Sequence, residues 1–346
     1  MAKRALHAQS GFPIDKGTGD SVMKELPGEI LRDLYRAVFR IRRTEETLAS
    51  LYPEQEMRTP THFGIGQEAV AAGVCGALGD DDVVYSHHRC HNHYLARGGS
   101  LLGLVAELYG RIDGCANGRG GSVHLTSRET GFVVSSAILG QTIAAATGSA
   151  LAFQLDKTPR VAVTFFGEAT CEEGVFYESL NFAAVRRLPV LLVCENNLYS
   201  TESPLSVRQP AGTDLCERVR AFKVTAERVD GNDVVAVYGR TLAALDQLRA
   251  GEGPVFLECM TYRWREHVGP NFDHEAGRSY RDKAELDRWM DRCPVKRARA
   301  LIVASGTGES EVLSWESAIE DEIQTAVAAA KGSPWPETRT LFDNIY

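Results

Sequence analysis

The sequence predicts an α/β fold: a doubly wound, mainly parallel sheet with helices on both faces. Short apolar, β-rich runs alternate with helical patterns along most of the chain. Two of those runs, Val161–Phe166 and Leu188–Cys194, flank a helical pattern from Glu173 to Arg187. Right-handed crossover sets two such strands parallel, with both C-terminal ends on one edge of the sheet. With 346 residues, 44% hydrophobic and 24% charged, the chain has ample material for one large core.

The first twenty-six residues, rich in Gly, Lys and Asp, are expected to be a flexible leader, because they contain no apolar core of a signal peptide. Residues 27–346 are expected to form a single α/β domain that closes with C-terminal helices. A net charge of −8 and the absence of a long basic run argue against a nucleic-acid partner. No apolar stretch reaches transmembrane length. The 8 cysteines are scattered without a Cys-x-x-Cys pair, which disfavours a disulfide or zinc framework and fits a reducing cytoplasm.

The first helix is expected to start near Pro27, with Ile30, Leu34, Val38 and Ile41 at helical spacing, and to stop at Pro53. A turn-rich link, Glu54–Gly66, carries His62 into a second helix, Gln67–Leu78. A short strand, Val83–Tyr85, then runs into His87, His88, Arg89, His91 and His93. Such a cluster could hold a transition metal, but no Cys or acid follows at zinc-like spacing. Next come a helix, Leu101–Tyr109, and a loop whose Gly114, Gly118, Gly120 and Gly121 permit close backbone approach to a ligand. Residues 135–141 read as a loop, and Thr142–Phe153 as an Ala-rich buried helix.

The central unit ends its first strand at Gly167-Glu168 and its second at Glu195-Asn196-Asn197. Ligands of open α/β sheets bind at that edge, so Glu168 and Asn197 should converge there. One carboxylate and one amide oxygen suit Mg²⁺, which completes its octahedron with phosphate and water. The bland reading is a solvated strand-end acid and an ordinary Asn turn. Beyond this unit the expected elements are a short helix in 213–222 and an edge strand and turn in 223–233. They are followed by an amphipathic helix, Val234–Ala250, and an apolar strand, Pro254–Thr261. A charged, aromatic loop with Arg263 and His267 extends to Met290, and helices Val295–Ala304 and Glu311–Lys331 end the chain.

The stretch FFGEATCEEGVFYESLNFAAVRRLPVLLVCENNLYS, with its Gly-acid start and Asn-Asn close, resembles the thiamine diphosphate motif. In this extended form it is similar to the α subunits of the heteromeric 2-oxo acid dehydrogenases of the pyruvate, branched-chain and acetoin complexes. The likeness covers roughly Leu31 to Pro294. It implies the thiamine diphosphate-binding fold, with thiamine diphosphate and Mg²⁺ as cofactors. The metal would be held by Glu168, Asn197 and the carbonyl of Tyr199, and Gly167, Ala169 and Thr170 would line the cofactor. Arg89, His88 and Arg263 would face its diphosphate, and the backbones of Ala137 and Leu139 its aminopyrimidine. His62 and His267 would serve at the reacting centre.

Two departures from the family pattern stand out. Gly167-Glu168-Ala169-Thr170 replaces the usual Gly-Asp-Gly-Ala, and His88 replaces a Tyr. The resemblance also implies a β-type subunit that completes the active site, in an assembly of two α and two β chains. A 2-oxo acid would be the substrate and a lipoyl-bearing acyltransferase the acceptor. The alternatives are a thiamine-dependent enzyme of sugar or natural-product biosynthesis and a non-catalytic paralogue with the same fold.

Overall fold

Helix α1 (Gly28–Leu51) begins directly after Pro27, whose fixed φ of −55° suits a helix entrance. The computed structural model describes residues 26–343, so all of the expected leader except Leu26 lies outside the described residues. Leu31, Leu34, Tyr35, Val38, Ile41 and Leu48 form the buried stripe of α1, as the helical spacing predicts. Helix α2 (Glu68–Ala77) is small-residue rich and buried from Glu68 to Cys75. It leads to strand β1 (Val83–Ser86), helix α3 (His91–Ala96), helix α4 (Leu101–Leu108) and strand β2 (Phe132–Ser135).

Helix α5 (Gln141–Leu155), strand β3 (Ala162–Gly167), helix α6 (Gly174–Arg186) and strand β4 (Val190–Asn196) form the central crossover. The chain continues through a small hairpin, β5 (Tyr199–Ser200) and β6 (Ser203–Pro204), then helices α7 (Leu205–Arg208) and α8 (Leu215–Arg220). Strand β7 (Thr225–Asp230), helix α9 (Val234–Arg249) and strand β8 (Val255–Met260) complete the sheet. Helices α10 (Lys283–Asp291), α11 (Pro294–Ala304) and α12 (Glu309–Gly332) follow.

Six strands pair in parallel in the order β2-β1-β3-β4-β8-β7. Successive side chains point to opposite faces, and the sheet is apolar on both. Val163, Phe165, Leu191, Val193, Leu257 and Cys259 join the core shared with α1, α2, α4, α9 and α12. Ala162, Phe166, Val190, Leu192, Cys194 and Phe256 join the core shared with α5, α6 and α8. Burial on both faces explains why β4 and β8 read as mainly apolar runs, interrupted in β8 by Glu258, which pairs with Arg228. Between α2 and α9 the approach is so close that a Cβ on Gly73 would lie 2.8 Å from Val237 Cβ.

Several elements differ from the sequence reading, among them the β5–β6 hairpin and helix α7, which it did not anticipate. Strand β2 was not anticipated; Gly131 turns into it with a φ of +75°, and its Val133 and Val134 stay exposed. Helix α3 emerges from within the histidine cluster. Helix α10 occupies part of the supposed loop before Met290. Helix α5 is not buried throughout: Ala144, Ala145, Gly148 and Ala152 face outward. Its alanines signal small-residue packing but not which side is covered. All 8 cysteines are free, and all but Cys115 are buried.

Candidate active site

The register pairs Gly167 of β3 with Glu195 of β4, so the two strands end level and their following residues share one edge. At that edge lies a cavity of about 210 Å³. Its wall is assembled from segments far apart in sequence. His62 and Gln67 come from the link into α2, and His87, His88 and Arg89 from the end of β1. Ala137 and Leu139 come from the end of β2, and Gly167, Glu168, Ala169 and Thr170 from the end of β3. The end of β4 supplies Glu195, Asn197 and Tyr199–Thr201, and the segment after β8 supplies His267. In strand order the chain leaves β1 towards β2 on one side and returns to β3 on the other, the switch point where open α/β sheets bind ligands.

Glu168 opens a single 3₁₀ turn, is buried, and accepts hydrogen bonds from the guanidinium of Arg208. The same guanidinium reaches Glu172. Burial pushes the Glu168 carboxyl up, against the downward pull of Arg208. Asn197 folds into an Asx turn, its Oδ1 accepting from the Tyr199 amide at 3.2 Å, while its Nδ2 donates to Gln67 Oε1 at 3.3 Å. Asn196 is not a bystander: it donates to Glu258 at 2.7 Å and accepts from the Leu198 amide, and so fixes the turn. The Tyr199 hydroxyl points away to Glu285 at 2.6 Å.

Arg89 is fully buried and donates to the Phe63 carbonyl at 2.6 Å. Arg263 is also fully buried, donating to the carbonyls of Arg265 and Thr201 and to the Tyr280 hydroxyl. Its side chain does not reach the cavity wall; it backs the Thr201 segment that does. Burial, then repulsion from Arg263, pushes Arg89 down to about 9, and burial and Arg281 lower Arg263 in turn. The nearest carboxylate to Arg263 is Asp273 at 3.9 Å, and Arg263 Nε is buried without a partner.

The histidine cluster divides. His91 pairs with Glu45 and, at 2.8 Å, with Ser122. His87 accepts from the Arg89 amide on Nδ1, which leaves Nε2 to donate to Glu195 at 2.9 Å. His93 bonds Ser86 at 2.8 Å and faces Glu195 at 3.3 Å. Burial would raise Glu195, but the imidazoles of His93 and His87 hold it down to about 2. Acids therefore do partner these histidines, although none follows them closely in sequence. His88 instead meets the distant His62 and His267, with ring centroids 4.7 and 5.6 Å away. Burial, followed by Arg89, drives His62 to about 2 and His267 to about 3; burial and then His87 lower His88. All three are neutral at physiological pH.

Sequence reasoning overlooked Glu195, Gln67 and Arg208. Glu195 did carry a signal, an acid at a strand tip beside the Asn pair; Arg208 carried none.

A family model described as "Dehydrogenase E1 component" matches residues 36–339, further towards the C-terminus than the motif likeness reached. The chain is 33% identical to the α subunit of acetoin:2,6-dichlorophenolindophenol oxidoreductase from Bacillus subtilis, over 90% of this chain and 92% of that one. It is 33% identical to the pyruvate dehydrogenase E1 component α subunit of Rhizobium meliloti, over 96% and 94%. The corresponding subunit of Zymomonas mobilis is 35% identical, over 92% and 88%. With the family model spanning most of the chain and relatives matching almost end to end, this chain belongs to the dehydrogenase E1 component family, as an α-type subunit.

Proposed function

We propose that this chain is the α subunit of a thiamine diphosphate-dependent 2-oxo acid dehydrogenase, which decarboxylates a 2-oxo acid oxidatively and passes the acyl fragment to a lipoyl group. The observation that carries the reading is the cavity itself, where five strand ends bring oxygen donors, buried arginine charge and neutral imidazoles to one place.

The residues fit the cofactor. Arg89 is a buried cation on the cavity wall, pushed down by burial and by Arg263, which stands behind the wall and backs its Thr201 segment. Such charge calls for an anion, and a diphosphate supplies it. Glu168, the Asn197 amide oxygen and the Tyr199 carbonyl form an all-oxygen set with one carboxylate, which suits Mg²⁺ on a diphosphate. Arg208 must release Glu168 for this to happen. Gly167, Ala169 and Thr170 would lie along the cofactor, with Ala137 and Leu139 beside its aminopyrimidine. When bound, thiamine diphosphate supplies the nucleophile and electron sink for decarboxylation. His62 and His267, held neutral, can each donate and accept a hydrogen bond at a substrate oxygen. Glu195 locks the tautomer of His87 and with it the Arg89 amide.

A cavity of about 210 Å³ is smaller than the roughly 300–1,000 Å³ usual for cofactor sites. Leu139 of its wall, and Ile138 beside it in sequence, are apolar and exposed. Both features support a site completed by a β-type subunit; the assembly is proposed as two α with two β, served by a lipoyl-bearing acyltransferase.

One observation favours a second reading, a non-catalytic paralogue: Arg208 occupies the carboxylate that would hold the metal. Isothermal titration of thiamine diphosphate into the α–β complex at several Mg²⁺ concentrations decides between them. Mg²⁺-dependent binding supports the enzyme; no binding at any Mg²⁺ concentration supports the paralogue.

A further inference from the structure

Glu258 is a carboxylate on a strand flanked on both sides, and it is only 1% exposed. The register sets it between Cys194 of β4 and Arg228 of β7. Residues paired in register share a face of the sheet, as do residues two apart on one strand. Glu258, Arg228 and Asn196 therefore lie on the face covered by α8, towards the C-terminal ends of the strands. A charge buried there is costly unless it is paired. Arg228 Nε donates to Glu258 Oε2 at 2.8 Å, and its Nη2 donates to Asp214 at 3.0 Å. Asp214 in turn caps α8, accepting from the Glu217 amide at 2.9 Å. Asp214, Cys216 and Glu258 stand close enough to hold a metal ion, but the Arg228 guanidinium already supplies the cation.

The other oxygen of Glu258 faces the strand-end edge, where Oε1 accepts from Asn196 Nδ2 at 2.7 Å. A carboxylate paired with a guanidinium only accepts, so it decides which way round the Asn196 amide sits. The NH₂ end meets Glu258, and the amide oxygen is left to accept from the Leu198 amide at 3.1 Å. That bond matters because Leu198 has a φ of +73°, a left-handed conformation unfavourable to a residue with a Cβ. Asn197 and Tyr199 stand on either side of Leu198, tied to each other by Asn197 Oδ1 and the Tyr199 amide at 3.2 Å. A reversed Asn196 amide would set its NH₂ against the Leu198 N–H, donor against donor, and the turn would open. Glu258, Arg228 and Asn196 all stand outside the wall of the cavity.

We propose that Glu258 is a positioning residue for the strand-end oxygen site. Held by Arg228, it orients the Asn196 amide, and through the Leu198 turn it aims the Asn197 side chain and the Tyr199 carbonyl. The inference rests on the reading that these oxygens hold a divalent ion on a diphosphate, and it adds to that reading a support outside the cavity. Glu258 touches neither ion nor cofactor, so its loss weakens metal binding and spares the chemistry once the metal is bound.

The test uses the α–β complex with thiamine diphosphate, and Mn²⁺ as an oxygen-seeking ion whose free fraction electron paramagnetic resonance measures. Glu258→Gln lets the Asn196 amide reverse and should weaken Mn²⁺ binding at least about tenfold. Turnover should recover at saturating Mn²⁺, which a general loss of folding would not allow. Asn196→Asp alone sets two carboxylates face to face and should weaken binding too. Asn196→Asp combined with Glu258→Gln exchanges donor and acceptor across the same link and should recover most of the affinity. Cys216→Ala, which removes only a thiol contact of 3.5 Å to the same carboxylate, should leave it unchanged. Asn196→Ala breaks the link with the Glu258–Arg228 pair left whole, so it carries the test if Glu258→Gln does not fold. Unchanged affinity in Glu258→Gln or Asn196→Ala, or a double variant no better than the single ones, would overturn the inference. Failure of the unmodified complex to bind Mn²⁺ would overturn the dehydrogenase reading instead. Amide exchange at Leu198 in the metal-free complex then still decides about the turn: it should quicken in Glu258→Gln and slow again in the double variant, and an unaltered rate would overturn the role given to Glu258.

Discussion

Two cations compete for the carboxylate of Glu168. Arg208 holds it now, and a metal at the strand ends needs the same oxygens. Glu168→Ala should abolish Mg²⁺-dependent thiamine diphosphate binding, whereas Glu168→Asp should retain it, because a shorter acid still reaches a metal at the turn. A Mg²⁺ titration of both variants and the unmodified complex checks this; indifference to both changes would make Glu168 a bystander. Arg89→Ala should cost about 1.5–3 kcal/mol of cofactor affinity, the usual worth of a charged hydrogen bond, whereas Arg263→Ala, which acts only through the Thr201 segment, should cost less, both read by calorimetry. Glu195 gives a pH signature. Its carboxyl is depressed in the folded chain, so its contribution to stability is complete above the ordinary carboxylate range and is lost as pH falls towards about 2. Glu195→Gln should flatten that part of the acid-denaturation curve, measured by circular dichroism. At this scale the sequence revealed acids and amides at strand tips but not Arg208. A side chain that arrives from a separate short helix leaves no local pattern.

Among the elements, the α1–α2 pair positions the link that carries His62. It is pinned by a buried ion pair, Arg42 Nε to Glu68 Oε1 at 2.6 Å, and Glu68 also accepts from the Gly66 amide at 2.8 Å. Gly66 has a φ of +102°, and a Cβ there would meet the Tyr262 carbonyl at 2.4 Å, so only glycine fits. Glu68→Ala strands a buried guanidinium and should destabilise the chain by about 3–5 kcal/mol, seen as a lowered denaturant midpoint. Helices and central strands were legible because their periods of 3.6 and their mainly apolar runs survive in the sequence. Strand β2 was not: only Phe132 and Ser135 are buried, and the exposed Val133 and Val134 between them break the alternation that marks a strand. Helix α10 was obscured by its charge, with Leu286 its one buried residue.

For the molecule as a whole, the small cavity and the exposed, apolar Leu139 on its wall fit a site that a partner subunit completes. The purified α chain should therefore show no 2-oxo acid decarboxylation, and adding the β subunit should restore it; robust turnover by α alone would refute that division of labour. The strand order has a further consequence, for synthesis on the ribosome. Strand β7 is made before β8, yet its sole neighbour in the sheet is β8, which slots between β7 and β4. Until residues 255–260 emerge, β7 has nothing to pair with, and the apolar edge of β4, Val190–Asn196, lies open to any passing strand. The nascent chain thus passes through a window, between translation of β4 and of β8, in which a chaperone has most to protect, and any pause of the ribosome there prolongs the hazard.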